Sequence, residues 1–233
     1  VLPEGQDPRV QDAAMRIASK GIASVTVLAS PAELSAADAV WDDDRAASLG
    51  IRVIDPSDSE LLEELAGLFA DIRSHKGVTL EQARRKVGNR LYFGDLMVRK
   101  GLADGLVAGS IASTPDMLRA AFHCIGTAPG IKVGSSCFVM DLAEPAPCGE
   151  GDVVIYADCG VNPNPSAEDL ADIAIASATT HRSLVGGEQR VALLSFSTKG
   201  SARHELVDKV VSATEITRRR VADGGLDFIV DGE

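Results

Sequence analysis

Three short apolar runs in this sequence are each followed directly by a polar turn and then by an amphipathic stretch. The runs lie at 102–109, 153–160 and 191–198. A strand that leads through a tight turn into a helix is the repeating unit of α/β proteins with a largely parallel sheet. This order of elements therefore predicts an α/β fold.

The stretches between these runs carry the signals of helices. Thr79 is placed as an N-cap, Pro115 is a favoured first helical residue, and Gly77 follows a stretch with apolar residues at helical spacing. Helices are predicted over 8–20, 58–75, 81–87, 115–124, 167–184 and 204–220, and a further strand over 24–28. The proline- and glycine-rich residues 143–151 are the candidate boundary between two domains.

The overall charge limits the kinds of partner. The chain of 233 residues has 34 acidic and 23 basic side chains, a formal charge of −11. A negative protein repels nucleic acids and anionic membrane surfaces, and no apolar run approaches the roughly 20 residues that span a bilayer. We therefore predict a soluble protein without a nucleic acid or membrane partner. Converging arginine or lysine side chains can still bind a small anion.

The cysteines argue against a metal site. Cys124, Cys137, Cys148 and Cys159 lie more than ten residues apart, without a CxxC pair or a histidine at zinc-finger spacing. We predict no metal and four reduced thiols in a cytoplasmic protein, because no signal peptide is apparent. One reactive cysteine is the alternative.

The turns that follow the three apolar runs are candidate anion sites, because a helix N-terminus presents unpaired N–H groups and the positive end of the helix dipole. The candidate residues in these turns are Ser113, Thr114, Asn162, Ser197, Thr198, Lys199, Gly200 and Ser201. Arg73 and Arg119 are further candidates, since a guanidinium group matches phosphate oxygens. The pattern alone leaves a structural role open for all of them, as N-caps, turn formers or surface charges.

Longer segments of the chain are more informative than these single residues. They are VLPEG (1–5), YFGDLMV (92–98), ADGLVAG (103–109), LRAAF with GTAPG (118–130), YADCGVNPNPSAEDLADIAI (156–175) and VALLSFSTKGSA (191–202). In sequence and in order they resemble the phosphate acetyltransferase (phosphotransacetylase) family. The resemblance implies a three-layer α/β/α protein of two domains with a cleft between them, similar to isocitrate and isopropylmalate dehydrogenases. We expect the domains to be 1–142 and 143–233.

The resemblance also implies a reaction and its participants. The thiolate of coenzyme A attacks acetyl phosphate in a ternary complex, so coenzyme A, acetyl-CoA, acetyl phosphate and phosphate are substrates and no cofactor is tightly bound. A cytoplasmic homodimer in acetate metabolism is expected. Arg73 and Arg119 match the family's phosphate- and CoA-interacting arginines, and the turn residues named above match its substrate-binding turns.

One part of the family's pattern is not found in this sequence. The family's catalytic aspartate, and the serine and arginine that assist it, lie in a later Ser-Arg-Gly segment beyond the position of Glu233. We therefore expect this chain alone to be a poor catalyst, as a truncated product or a fragment. Two other functions stay open, namely a regulatory domain that binds acetyl-CoA without turnover and a transferase that prefers butyryl groups.

Overall fold

A computed structural model describes residues 1–36, 38–58, 60–144 and 151–233 of the chain. The chain divides into two compact units, Val1–Gly126 and Thr127–Glu233. Both units combine helices with strands, which confirms the predicted α/β class. The division lies earlier than the expected boundary after residue 142. That boundary stays a prediction, because most of the segment 143–151 lies outside the described residues.

The first unit is mainly helical around one short parallel pair of strands. Its elements are α1 (Pro8–Ser19), β1 (Thr26–Leu28), α2 (Pro31–Leu34), α3 (Asp43–Ser48), β2 (Arg52–Ile54), α4 (Leu61–Ile72), α5 (Leu80–Val87), α6 (Arg90–Lys100) and α7 (Thr114–Cys124). Strands β1 and β2 run parallel, with Thr26 opposite Arg52. The helices predicted from 8, 58, 81 and 115 are confirmed as α1, α4, α5 and α7, with small shifts at their ends.

Helix α6 is the centre of the larger core of this unit. Every residue from Leu91 to Met97 is buried, and α4, α5 and α7 pack around them. The apolar positions of α6 therefore do not follow a single helical face, and the periodicity that identifies a surface helix is missing. A second core forms where α1 packs on β1, around Met15 and Val27.

The prediction of a buried strand over 102–109 is wrong. The segment is irregular, and the side chain of Val107 is 73% exposed. Val1 forms two backbone hydrogen bonds with this segment, of the kind that a neighbouring strand would form. Its N-terminal nitrogen donates to the Gly105 carbonyl, and its carbonyl accepts from the Val107 N–H. The chain then turns at Gly109, whose φ of 108° an L residue rarely adopts, so no ladder continues.

The second unit contains two strand pairs and two long helices. Its elements are β3 (Cys137–Asp141), β4 (Val153–Ala157), α8 (Ala167–Leu184), β5 (Arg190–Leu193), α9 (Glu205–Asp223) and β6 (Ile229–Gly232). Strands β5 and β6 are parallel, whereas β3 and β4 are antiparallel. The strands predicted over 153–160 and 191–198 are thus present but shorter. The helices predicted over 167–184 and 204–220 are confirmed as α8 and α9.

Candidate functional site

The first unit contains a polar pocket with a volume of about 480 Å³. It lies between the start of the chain, the turn that joins α5 to α6, and the first turns of α7. The lining residues are Pro3, Glu4, Gln6, Glu33, Lys86, Gly88, Asn89, Arg90, Leu91, Tyr92, Ile111, Ala112, Asp116 and Arg119. Arg119, which the sequence identified as a candidate, thus lines the pocket. Two further cations, Lys86 and Arg90, line it as well, and the sequence did not single them out.

The beginning of α7 explains the positions of Ser113, Thr114 and Arg119. Ser113 is the N-cap, and its hydroxyl donates to Asp116 at 2.7 Å, while Thr114 is the first helical residue. Arg119 Nη1 donates to the other carboxylate oxygen of Asp116 at 2.8 Å. The structural role considered for Ser113 is therefore present. The Arg119 side chain remains about half exposed and open to the pocket.

A tyrosine–histidine pair lies against the pocket wall. The buried Tyr92 hydroxyl is 2.9 Å from His123 Nδ1, and Lys86 Nζ is 4.7 Å from the centroid of the Tyr92 ring. Burial raises the pKa of Tyr92, so the phenol stays protonated and can donate to the imidazole. Burial, and then the charges of Arg73, Lys86 and Arg119, lower the pKa of His123. The imidazole is therefore neutral at pH 7.

Arg73, the other arginine candidate, is not among the residues that line the pocket. It is the C-cap residue of α4 and is partly exposed. Its charge acts on the pKa of both His123 and Tyr92, as does the charge of Arg119. The charges of the two candidate arginines thus act on one tyrosine–histidine pair, although the two residues are distant in sequence.

Glu4 fixes the opposite wall of the pocket. Its carboxylate accepts four backbone N–H bonds of 2.6 to 2.9 Å, from Gly109, Ser110, Ile111 and Ala112. Burial opposes ionisation of Glu4, but the four N–H groups outweigh it and lower the pKa. This acid therefore holds the chain that leads into α7. Sequence analysis missed its role, since a glutamate near a glycine carries no distinctive spacing.

In the second unit, the predicted turn after β5 binds a carboxylate of the chain itself. Glu233 Oε1 accepts from Ser197 Oγ at 2.7 Å and from the Gly200 N–H at 2.5 Å. Lys199, with a positive φ of 46°, pairs with Asp231 at 2.7 Å, and Ser201 Oγ accepts from the Thr198 N–H at 2.7 Å. The turn thus holds carboxylates of the chain itself, from Asp231 in β6 and from Glu233 after it. That it binds a substrate anion stays a prediction.

Asn162, the remaining candidate, stabilises the turn after β4. Its backbone N–H and its side-chain amide both donate to Asp158 Oδ2 at 2.6 Å, and the amide also donates to the Gly134 carbonyl at 2.9 Å. Burial opposes ionisation of Asp158, but hydrogen bonds from Ser136, Gly160 and Asn162 prevail and lower its pKa. These contacts match the turn-forming role that the Asn-Pro pair indicated.

Metal sites and membrane-spanning helices are both missing from the described part of the chain. Within residues 1–36, 38–58, 60–144 and 151–233, no group of three or more His, Cys, Asp or Glu side chains is arranged to hold a metal ion. The same residues contain no helix that is both long and apolar enough to cross a membrane. Cys124, Cys137 and Cys159 are free thiols, and Cys148 lies outside the described residues.

Comparison with known proteins covers the whole chain. Residues 1–233 match the family model described as phosphate acetyl/butaryl transferase. The phosphate acetyltransferase of Thermoanaerobacterium thermosaccharolyticum is 47% identical over 227 residues, which cover 97% of this chain and 67% of that protein. The phosphate acetyltransferase of Acetivibrio thermocellus is 40% identical over 233 residues, which cover 100% of this chain and 67% of that protein.

Solved structures show the same similarity. The EutD phosphotransacetylase from Staphylococcus aureus matches with a TM-score of 0.81 at 36% identity, over 100% of this chain and 67% of that one. A phosphotransacetylase from Streptococcus pyogenes matches with a TM-score of 0.81 at 33% identity, over 100% of this chain and 66% of that one. The chain therefore spans about two thirds of the length of these proteins.

Proposed function

Because this chain belongs to the phosphate acetyl/butaryl transferase family, we propose that it transfers an acetyl group between phosphate and the thiol of coenzyme A. The observation that carries the proposal is the family match over all 233 residues. The pocket of the first unit is lined by three cations as well as by three acids. Its cations support the proposal, because both substrates are anions. Acetyl-CoA and coenzyme A are substrates in this proposal and not resident cofactors.

The proposed reaction needs no covalent intermediate with the protein. The protein contributes mainly by stabilising charge. The thiolate sulfur forms a bond to the acetyl carbon, the bond from that carbon to the phosphate oxygen breaks, and phosphate leaves with the electron pair. Arg119 and Arg73 are proposed to bind the phosphate groups, since a guanidinium can hold two oxygens and stays charged at every relevant pH. Charges fixed before the reaction stabilise the leaving phosphate at little reorganisation cost.

The candidate residues of the turns belong to the same proposal in a binding role. Ser113 and Thr114 lie at the N-terminus of the helix that carries Arg119. Ser197, Thr198, Lys199, Gly200 and Ser201 form the turn in the second unit, where a substrate anion would replace the carboxylate of Glu233. Asn162 would act indirectly, by keeping the turn after β4 in place. A cytoplasmic homodimer in acetate metabolism completes the proposal.

The test is CoA-dependent thioester formation from acetyl phosphate, followed by ultraviolet absorbance. It should be run on the 233-residue chain and on the complete gene product, each with Arg119→Gln and with the control Arg16→Gln. Arg16 is an exposed residue that forms an ion pair with Asp12 on α1, at 3.6 Å. We expect Arg119→Gln to lower kcat/KM by at least about tenfold, because a charge-assisted contact is lost, and Arg16→Gln to leave it unchanged.

The outcomes separate the functions considered. A complete gene product that makes no thioester contradicts the transferase, and one that binds acetyl-CoA without turnover is a sensing domain. Faster turnover with butyryl phosphate than with acetyl phosphate makes it a butyryl transferase. Turnover by the 233-residue chain at the rate of a full-length relative contradicts the expectation that this chain alone is a poor catalyst.

A further inference from the structure

Lys86 lies in the last turn of α5 and lines the same pocket as Arg119. We infer that Lys86 binds a phosphate group of the substrate in this pocket, together with Arg119. The inference rests on the proposed function and adds a residue to its site. The shared chemistry is a phosphate group, whether of inorganic phosphate and acetyl phosphate or of coenzyme A.

The charges around the pocket make Lys86 the cation that is available to a ligand. Arg90 is neutralised by Glu33, whose two oxygens lie 2.6 and 2.5 Å from Arg90 Nη2. Arg119 uses one nitrogen on Asp116. Within the part of the chain that the structure describes, Lys86 forms no ion pair, and its ammonium faces the Tyr92 ring. Lys86 and the Asp116 carboxylate act on each other at longer range, so a phosphate would meet an ammonium group that no direct ion pair engages.

The Tyr92 ring also keeps the ammonium group in place. A cation over an aromatic face is attracted to the ring, and Tyr92 itself is fixed by burial, by Phe69 and by His123. A charge that is positioned before the ligand arrives loses less entropy when the ligand binds. Val87, the next residue, is fully buried and anchors the end of α5 in the core. The arrangement favours binding over a role in folding, because Lys86 is exposed and forms no ion pair with any residue that the structure describes.

The neighbouring Arg85 provides a matched control. It is also an exposed cation of α5, but it pairs with Glu81 one turn earlier, at 3.3 Å, and does not line the pocket. Arg85→Gln therefore removes the same formal charge from the same helix. Any effect of net charge alone is common to both variants, whereas the loss of a direct contact is specific to Lys86→Gln.

His123 offers a readout that does not depend on turnover. Burial and the charges of Arg73, Lys86 and Arg119 lower its pKa, and the groups around it are Tyr92 on α6 and these three cations of α4, α5 and α7. A phosphate bound among the cations offsets their field and raises the pKa of His123. Proton NMR of the imidazole C–H resonance during a pH titration measures this shift directly.

The experiment titrates the 233-residue chain with inorganic phosphate and, separately, with coenzyme A, using calorimetry and the His123 resonance. We expect Lys86→Gln to raise the dissociation constant about tenfold, the usual consequence of losing one charge-assisted contact. Arg85→Gln should bind as the unmodified chain does, and Lys86→Arg should retain much of the affinity. Circular dichroism checks that each variant is folded.

The two titrations identify the source of the phosphate. Weaker binding of inorganic phosphate in Lys86→Gln assigns Lys86 to the transferred phosphate, and weaker binding of coenzyme A alone assigns it to that ligand. Unchanged affinity for both ligands overturns the inference, as does an equal loss in Arg85→Gln. Failure of the proposed transferase would appear separately, as phosphate binding that depends on Lys86 in a complete gene product without thioester formation.

Discussion

At the scale of single residues, the Glu4 carboxylate connects the start of the chain to the segment that leads into α7. Glu4→Gln replaces one carboxylate oxygen, which accepts two of the four N–H bonds, by an NH₂ group. This group is a donor and cannot accept these two bonds. We expect the free energy of unfolding to fall by about 2 to 3 kcal/mol, because buried N–H groups lose a charged partner. Urea denaturation followed by tryptophan fluorescence measures the change.

The pH dependence of this effect has a definite sign. The pKa of folded Glu4 is below its ordinary value of 4.5, so its stabilisation is fully present above that value and is lost as the pH falls through the folded pKa. The difference between the original chain and Glu4→Gln should therefore shrink in acid. Glu81→Gln, at an exposed ion pair, is the control and should change stability by less than about 0.5 kcal/mol. A constant difference across pH would contradict the role assigned to Glu4.

Sequence patterns singled out some residues of the candidate site and not others. Arg73 and Arg119 were candidates because a guanidinium group matches phosphate oxygens and because of the family resemblance, and the charges of both act on the Tyr92–His123 pair. Lys86 was not singled out, because lysine in an amphipathic helix is ordinarily a solvated charge. Its position over a buried ring depends on how α5 and α6 pack, which no local pattern contains.

At the scale of elements, the surroundings of two glycines predict opposite effects on stability when each is replaced by alanine. Gly5 lies against β1, and a Cβ there would meet Val27 Cγ1, Ala29 Cβ at 2.8 Å and the Leu28 carbonyl oxygen at 2.9 Å. We expect Gly5→Ala to destabilise the chain by about 2 kcal/mol or more, since the strand backbone must move. Thermal unfolding followed by circular dichroism measures it.

Gly67, in the middle of α4, is the matched comparison. A Cβ there would meet nothing within 4 Å. Alanine is favoured over glycine in a helix, so Gly67→Ala should stabilise the chain by about 0.5 to 1 kcal/mol. If both substitutions changed the unfolding temperature in the same direction, the prediction that rests on the close approach of Gly5 to β1 would be wrong.

The elements themselves were predicted where helical periodicity is clear. Helices α4, α8 and α9 have polar and apolar faces, and all three are present. The 102–109 segment has the apolar composition of a strand, but the Val107 N–H donates to Val1 and the Gly109 N–H donates to Glu4. Helix α6 lacks a polar face because it is surrounded by other helices, so periodicity could not reveal it.

At the scale of the whole molecule, two compact units with separate cores predict more than one unfolding step. The only tryptophan in the sequence, Trp41, packs in the first unit. The buried cluster of the second unit is small and consists of Ala174, Leu193, Val210, Ala213 and Val230. We therefore expect the second unit to unfold first in urea.

Two signals distinguish the steps. Far-ultraviolet circular dichroism reports helices of both units, whereas Trp41 fluorescence reports the first, so the fluorescence midpoint should lie at the higher urea concentration. Val230→Ala should shift only the early part of the dichroism curve, and Gly5→Ala should shift the fluorescence curve. Coincident transitions in all three proteins would contradict independent unfolding of the units.

The turn after β5 has a consequence for selectivity. Glu233, held by Ser197 and Gly200, is a tethered competitor for any anion that approaches this turn. A group tethered through a short chain has an effective concentration on the order of millimolar. A free anion that binds the turn as tightly as the Glu233 carboxylate does must therefore be present above about that concentration to displace it. A large ligand that gains additional contacts elsewhere overcomes this competition more readily. In the binding role proposed for this turn, the competition would favour extended substrates over small anions.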